Sequence, residues 1–450
     1  MRFRISNCTL IGLAVFAVIS WCIWGEGYFM SCALSPDGVS YLRMSEAAAH
    51  GHLFNPNGVS GHEGWFARWP LGYPWCIALV MKMTSLDAFT SARVLATLLA
   101  GGFIVLLARC ARPAFPVLAL SLLNLSFLGV FRLSYSEQPF LLAVLALCLV
   151  LSRERGKSMF FLVAAISGLS MAAFLFRYIG VFAIFWAMAT SCMAARIARR
   201  NWRMMRVFAV ATIVVGAFVC GYLLLNRLMS GAFTGGHPPG MSESALVLVK
   251  RMAIALLNEM QAFAFAVIWP AALFFASGPG VFGKGGDTED ESVPDGMVFI
   301  IFGLMCNGTV ILLRFLMPFD ALGFRLLCPG TTLLVLGVVL KIRTWLRVDW
   351  ATSINAVPTR RILVFLALLA VPAFHFLSME RELRRVMHLP MESWHEGYHA
   401  VRAHVMEKYA DVPSGTRFAF PNKHPGVYYG IDFLRPDILA DVPDSPDKGF

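Results

Sequence analysis

The sequence predicts a mainly α, polytopic membrane helix bundle with a small outer α/β appendage at its C-terminal end. Three observations predict it. Residues of the AVILMFWYC set fill 58% of the 450 positions and charged residues only 14%, against roughly 25% charged in soluble domains. The apolar residues fall into runs close to the roughly 20 residues that a helix needs to cross a bilayer. Arginines gather at alternate ends of those runs, the bias that keeps cytoplasmic loops cytoplasmic. The net charge of +11 is read as that topology signal rather than as a nucleic-acid surface. The same composition excludes soluble multidomain, disordered, collagen-like and small secreted classes. The cysteines form no framework. Cys22, Cys110, Cys148, Cys192 and Cys220 lie inside apolar runs and read as small hydrophobes. Cys32 and Cys76 both fall in outer segments, and a disulfide between them is not favoured.

The elements follow in order. Met1-Arg2-Phe3-Arg4 is basic and precedes an apolar run from Cys8 to Trp24. No Ala-x-Ala site follows, so the run reads as an uncleaved anchor rather than a signal peptide. A polar stretch from Ser31 to Pro70 is then outside. Leu71 to Met83 is apolar but short and broken by Pro74, so it reads as interfacial or re-entrant rather than as a crossing. Phe89–Ala108, Ala114–Phe131, Phe140–Leu151, Met159–Phe176, Ile179–Met193 and Val207–Leu225 alternate across the bilayer. They place Arg153, Arg155, Lys157, Arg196, Arg199, Arg200, Arg203 and Arg206 inside. Arg227 to Lys250 is a Gly- and Pro-rich outer loop. Leu256–Ser277 returns, and the acidic loop with Asp287, Glu289, Asp290, Glu291 and Asp295 is a solvated inner connector. Met297–Leu313, Leu326–Leu340 and Arg361–Leu377 complete about eleven spans, N-terminus in and C-terminus out. From Glu380 the chain turns polar. Trp394–Tyr409 reads as an amphipathic helix, Thr416–Phe420 as a strand, and Asn422–Gly426 as a turn. The organisation is thus an anchor (1–30), an outer catalytic loop with interfacial helices (31–88), a transmembrane bundle (89–377) and a small extracytoplasmic domain (378–450).

Candidate chemistry lies in the outer segments. Asp37, just past the first span, is either a helix N-cap or a carboxylate that takes a proton from an attacking hydroxyl. Tyr41 shares its helical face one turn later. Glu63 offers a second acid, and Arg68 has the planar fork that suits a phosphate. Trp65 and Trp69 fit an interfacial belt. Glu137 sits beside Arg132 in a short outer turn, Arg177-Tyr178 in another, and Arg325 opens a late span. Outward arginines run against the charge bias and mark either snorkelling side chains or a site. No phosphate-binding Gly loop, Cys-based zinc site or Ser nucleophile elbow is present, and the scattered His50, His52, His62 and His237 have no ligand spacing.

Taken in chain order, these stretches resemble the GT-C superfamily of membrane glycosyltransferases, in the group of protein O-mannosyltransferases and lipid A aminoarabinose transferases. Asp37 with Tyr41-Leu42 resembles Asp-x-x-x-Tyr-Leu. Trp69-Pro70-Leu71-Gly72-Tyr73-Pro74 resembles Pro-Pro-x-Tyr-Pro, with Leu71 at the second Pro. Ser136-Glu137-Gln138-Pro139-Phe140 resembles Ser-Glu-Pro-x-Phe, with Gln138 inserted. Phe176-Arg177-Tyr178-Ile179-Gly180 resembles Thr-Arg-Tyr-x-Gly, and Arg325 to Pro329 resembles Arg-Tyr-x-x-x-Pro. Gly415-Thr416 and Pro421 to Tyr429 resemble the outer C-terminal domain of bacterial members.

The resemblance implies an inverting transfer of a sugar from a polyprenyl-phosphate donor to a lipid, glycan or protein acceptor, outside a membrane. That membrane is expected to be the bacterial inner membrane. Asp37 is expected as the base, with Glu63 and Glu137 as further catalytic acids. Arg68, Arg177 and Arg325 are expected to bind the donor phosphate, and Tyr41, Tyr73 and Tyr178 to position substrate. No cofactor is called for, a divalent metal is not favoured, and nucleic acid is not a partner. Two rival readings stand beside this one: a transporter or flippase of lipid-linked glycans, and an inactive scaffold of the same fold. Transporters are built on inverted repeats and broken mid-membrane helices, and the sequence shows neither.

Overall fold

The computed structural model describes residues 6–24, 36–51, 69–154, 156–178, 202–231, 233–234, 294–316, 324–346 and 405–416, with single positions between 180 and 189, between 248 and 263, and at 350, 354 and 355. All regular structure among these residues is helical. The elements are α1 (Asn7–Trp24), α2 (Pro36–Ala49), α3 (Gly72–Thr84), α4 (Ala88–Cys110), α5 (Phe115–Ser121), α6 (Leu125–Arg132), α7 (Glu137–Ser152), α8 (Met159–Phe176), α9 (Trp202–Ser230), α10 (Gly296–Leu316) and α11 (Phe324–Leu346). Six of them, α1, α4, α8, α9, α10 and α11, are long and apolar enough to cross a membrane, or seven spans if the bent pair α5–α6 is one. The expected crossings Ile179–Met193, Leu256–Ser277 and Arg361–Leu377 lie largely outside the described residues. So do most of the expected C-terminal domain, including its strand, and Cys32; Cys76 is a free thiol.

Two expectations need correction. Ala114–Phe131 is not one continuous crossing. It breaks at 122–124, and its two halves, α5 and α6, meet at 76°. Asn124 makes the break tolerable, because its side chain accepts from Phe127 N at 3.0 Å and donates to Ser121 O at 2.9 Å. A break in a span leaves backbone groups that must be satisfied inside the protein. The sequence also shows no sign of a broken helix within its apolar runs, and here one stands.

The helices pack around one main core. Ile11, Val15, Ile19, Cys22 and Ile23 of α1 lie in it with Phe103 and Leu107 of α4, Phe127 and Phe131 of α6, and Val144 and Leu147 of α7. The first helix is therefore an integral part of the bundle. Arg93 of α4 is buried and donates to the Ile23 carbonyl at the end of α1. It also lies 4.5 Å from the Phe89 ring centroid. A cation there satisfies the free carbonyls and negative end of the helix dipole.

The two ends of the bundle differ in charge. At one end Arg153 donates to the Cys110 carbonyl, Arg203 to the Lys157 carbonyl, and Lys341 pairs with Asp295 at 2.9 Å. The loops read as cytoplasmic thus share one end. At the other end lie α2, the start of α3 and the start of α11. Val405 is fully buried there, in a cluster with Tyr41, Leu42, Tyr73 and Ile77, and Tyr409 and Val412 pack beside it. This part of the tail accordingly covers α2 and α3.

α10 and α11 form an antiparallel pair with glycines facing each other. A Cβ on Gly303 would come 2.6 Å from the Gly330 carbonyl oxygen, and one on Gly296 would come 2.6 Å from that of Gly337. Small residues let helix backbones approach where lipid supplies no hydrophobic drive. Gly303→Ala is therefore expected to lower stability by about 1–3 kcal/mol. Gly216→Ala on α9, where a Cβ meets nothing within 4 Å, should be neutral or slightly stabilising, by up to about 1 kcal/mol. Thermal unfolding in detergent checks the contrast; equal effects would refute close packing at Gly303.

Candidate active site

Four separate stretches of chain meet at the end of the bundle opposite the basic loops. α2 begins at Pro36, whose missing N–H costs nothing in a first turn. Asp37 is inside that turn, where a carboxylate favours the positive helix end. It is 7% exposed. Tyr41 follows one turn later and is buried. Its hydroxyl shares a 2.9 Å hydrogen bond with Ser136 Oγ.

Ser136 precedes α7, and Glu137 is the first residue of that helix, with no exposed surface. Gln138 is the insertion in the family-like pattern. Its Nε2 donates to the carbonyls of Val130 at 3.0 Å, Phe131 at 3.3 Å and Leu133 at 2.6 Å. It thereby closes the end of α6 and fixes the turn that presents Glu137. The insertion thus has a structural task that the sequence did not reveal.

Arg177 terminates α8, its N–H bonded to the Ala173 carbonyl at 2.9 Å. Its guanidinium pairs with Glu137 Oε1. Arg325 opens α11 and reaches two acids. Its Nε donates to the same Glu137 oxygen at 2.6 Å, and its terminal nitrogen pairs with Asp37. The guanidinium also lies 4.2 Å from the Tyr135 ring centroid, a favourable placement over the ring's negative face. Pro329 follows four residues after Arg325 inside α11. It cannot donate to the Arg325 carbonyl, so the helix start is loosened where the arginine leaves it.

The result is an alternating chain of charges, Asp37–Arg325–Glu137–Arg177. Each carboxylate lies against a guanidinium, which is what allows charged groups to stay buried. Aromatic rings wall it. Tyr73 of α3 meets Tyr41 edge to face at 5.2 Å and 86°, and Trp69 lies 5.9 Å from Tyr41. A Cβ on Gly72 would come 2.6 Å from the Leu175 carbonyl oxygen, so the start of α3 sits directly on the end of α8. Burial pushes the Tyr41 hydroxyl well above its ordinary range, reinforced by Asp37 and Glu137 and opposed by Arg325 and Arg177. Tyr41 is consequently held as a neutral hydroxyl.

Of the residues expected from sequence, Asp37, Tyr41, Tyr73, Glu137, Arg177 and Arg325 are together. Tyr178 stands next to them but faces α9, where Asn226 Nδ2 donates to its hydroxyl at 3.1 Å and Tyr222 lies beside it at 6.1 Å. Glu63 and Arg68 lie outside the described residues. Ser136, Tyr135, Gln138 and Asn226 were missed. Ser136 and Gln138 adjoin a nominated acid in the sequence, but only packing shows what they touch. Among the described residues no group of three or more His, Cys, Asp or Glu side chains is arranged to hold a metal ion.

Further along α2, Glu46 is half-buried. Burial pushes its carboxyl above the ordinary value of 4.5, opposed by His50 and Arg43 and reinforced by Asp87. The folded state then binds this proton more tightly than the unfolded state, so its burial weighs against folding as pH rises above 4.5. Glu46→Gln is expected to raise the Tm at neutral pH, and the gain should shrink as pH falls toward 4.5. A gain independent of pH would contradict this.

No family model and no curated protein matches the chain. Solved structures are similar to it. ArnT from Cupriavidus metallidurans bound to undecaprenyl phosphate is 13% identical with a TM-score of 0.58, covering 97% of this chain and 86% of that one. The Archaeoglobus fulgidus oligosaccharyltransferase in the apo form is 13% identical with a TM-score of 0.49, covering 96% of this chain and 64% of that one. The likeness of ArnT to this chain is one of fold.

Proposed function

We propose that this chain is an integral membrane glycosyltransferase that moves a sugar from a polyprenyl-phosphate donor to an acceptor hydroxyl, with inversion. The observation that carries this reading is the convergence of Asp37, Tyr41, Glu137, Arg177 and Arg325 from four distant stretches into one buried site. The undecaprenyl phosphate bound to ArnT supports the class of donor. Asp37 takes the acceptor's proton as its oxygen attacks the anomeric carbon. The bond from that carbon to the donor phosphate breaks on the opposite face, and polyprenyl phosphate leaves with the bonding electrons. Arg177 and Arg325, with Arg68, stabilise the charge that develops on the phosphate. Glu63 is the remaining candidate acid. Glu137 serves to hold both arginines in place.

The charge chain gives the donor a way to arm the base. Arg325 pairs with Asp37 in this structure, and a cation against a carboxylate weakens it as a base. As Arg325 turns to the donor phosphate, that pairing loosens and Asp37 becomes a better proton acceptor. The basic loops at the far end support an extracytoplasmic site in a bacterial inner membrane. Labelling of single cysteines from outside is expected at Ser35→Cys and not at Arg200→Cys, and the reverse pattern would invert the topology. Function is tested by incubating purified protein with a panel of polyprenyl-phosphate sugars. One of them should be consumed, and consumption of none sinks the assignment. The break between α5 and α6 favours a second reading, a transporter of lipid-linked glycans. Translocation of such a lipid in proteoliposomes without cleavage of its sugar would select it.

A further inference from the structure

Asn226, one turn before the end of α9, has no exposed surface and takes no part in the chemistry proposed above. Its Nδ2 donates to the Phe233 carbonyl at 2.9 Å and to the Tyr178 hydroxyl at 3.1 Å. A carbonyl can only accept, so the first bond fixes which end of the amide is the donor, and the second N–H of that group is directed at Tyr178. Phe233 is itself held. The chain leaves α9 through Gly231, at φ 77°, whose N–H bonds to the Arg227 carbonyl at 3.0 Å. The Arg227 guanidinium lies 5.7 Å from the Phe233 ring centroid. The Tyr178 ring lies against those of Phe174 and Tyr222, with centroids at 5.5 and 6.1 Å.

Tyr178 directly follows Arg177, and Arg177 is where α8 stops. Its backbone is extended, at φ −151° and ψ 120°, between α8 and helical residues at 178 and 180. The direction in which Arg177 leaves the bundle is therefore set less by α8 than by what holds the residues after it. On one side that is Asn226 of α9. On the other it is α7: the Gly180 N–H bonds to the Arg177 carbonyl at 3.0 Å, and a Cβ on Gly180 would overlap the Phe140 ring. Phe140 stands one turn beyond Glu137, the acid that Arg177 pairs with. Ring packing tolerates small rotations, whereas a buried amide–hydroxyl bond is directional.

We propose that Asn226 is a positioning residue for Arg177. Through the Tyr178 hydroxyl it sets the angle at which the guanidinium meets Glu137 and, in the reaction, the donor phosphate. Its importance for transfer rests on the function proposed above, but the placement of Arg177 can be tested without any ligand. The test is a double-mutant cycle in Tm, pairing Arg177→Met with Glu137→Gln, in four backgrounds: wild type, Tyr178→Phe, Asn226→Leu and Phe218→Leu. Tyr178→Phe deletes only the hydroxyl, and Asn226→Leu cuts the same bond from the other side. Phe218→Leu disturbs the aromatic packing between α8 and α9 and leaves the bond in place. The pair should be non-additive by at least about 2 °C in wild type and in Phe218→Leu, and by less than about half of that in Tyr178→Phe and Asn226→Leu. Coupling that survives in Tyr178→Phe, is absent in wild type, or falls as far in Phe218→Leu overturns the proposal. If Asn226→Leu fails to fold, Tyr178→Phe decides by the same criterion. In the transfer assay both Tyr178→Phe and Asn226→Leu should lose at least about fivefold in kcat/KM. A loss confined to Tyr178→Phe would mean that the hydroxyl itself meets substrate, and would overturn the role of Asn226. A wild type that transfers no sugar sinks the function and leaves the ligand-free cycle to decide on Asn226.

Discussion

Asp37→Asn is expected to fold, to retain polyprenyl phosphate and to lose turnover by about a hundredfold or more. The carboxylate has three local roles that must be separated. It sits in the first turn of α2, where a negative charge is worth about 0.3–1 kcal/mol against the helix dipole. It pairs with Arg325. And it is the group proposed to take the acceptor proton. Asn keeps the shape and part of the hydrogen bonding but can neither carry the charge nor accept a proton at neutral pH. The loss of stability should be small, because Arg325 keeps Glu137 as its partner. Among the described residues the loss of the base has no such substitute, since Glu137 is fully buried between two arginines. Near-normal transfer by the Asn variant, measured as sugar released from the donor at saturation, would remove Asp37 from the chemistry and turn attention to Glu63.

Arg325→Met should damage both stability and function, and the two losses can be divided. Met preserves much of the volume and removes the charge. Breaking a buried ion pair costs roughly 3–5 kcal/mol, because the surviving charge stays buried without its partner. The cost here should fall at the lower end, since Arg177 still faces Glu137. Adding Asp37→Asn neutralises the other carboxylate that Arg325 paired with and should restore part of the Tm. It should not restore transfer, because the arginine that meets the donor phosphate is still missing. A double variant that regains transfer along with stability would make Arg325 a structural residue. An Arg325→Met variant with wild-type Tm would deny the charge chain any energetic weight.

Much of the fold was legible because bilayer spans are a local property. Length and apolarity decide whether a helix crosses, and both are read from one window of sequence. The runs at Cys8–Trp24, Phe89–Ala108, Met159–Phe176, Val207–Leu225, Met297–Leu313 and Leu326–Leu340 accordingly coincide with α1, α4, α8, α9, α10 and α11. Leu71–Met83 was read as too short to cross, and α3, of 13 residues, packs between α2 and α4. The break in Ala114–Phe131 escaped notice because Asn124 is a single polar residue in an otherwise apolar run. Its significance lies in bonds to Ser121 and Phe127 that composition does not encode.

By itself the sequence determined that this chain spans a membrane, where most of its helices run, and which outward ionisable residues deserve scrutiny. The tertiary structure decided which of those residues meet. A spanning helix is apolar on nearly every face, so the pattern that tells buried from exposed in a soluble helix carries little information here. What turns α11 toward α10 is a row of glycines, and what turns Arg325 toward Glu137 is a pairing across 188 residues of sequence. Glu259 had no motif at all. Its burial against Ser126 follows from packing, because the cost of burying a carboxyl is relieved where another helix brings a hydroxyl to it.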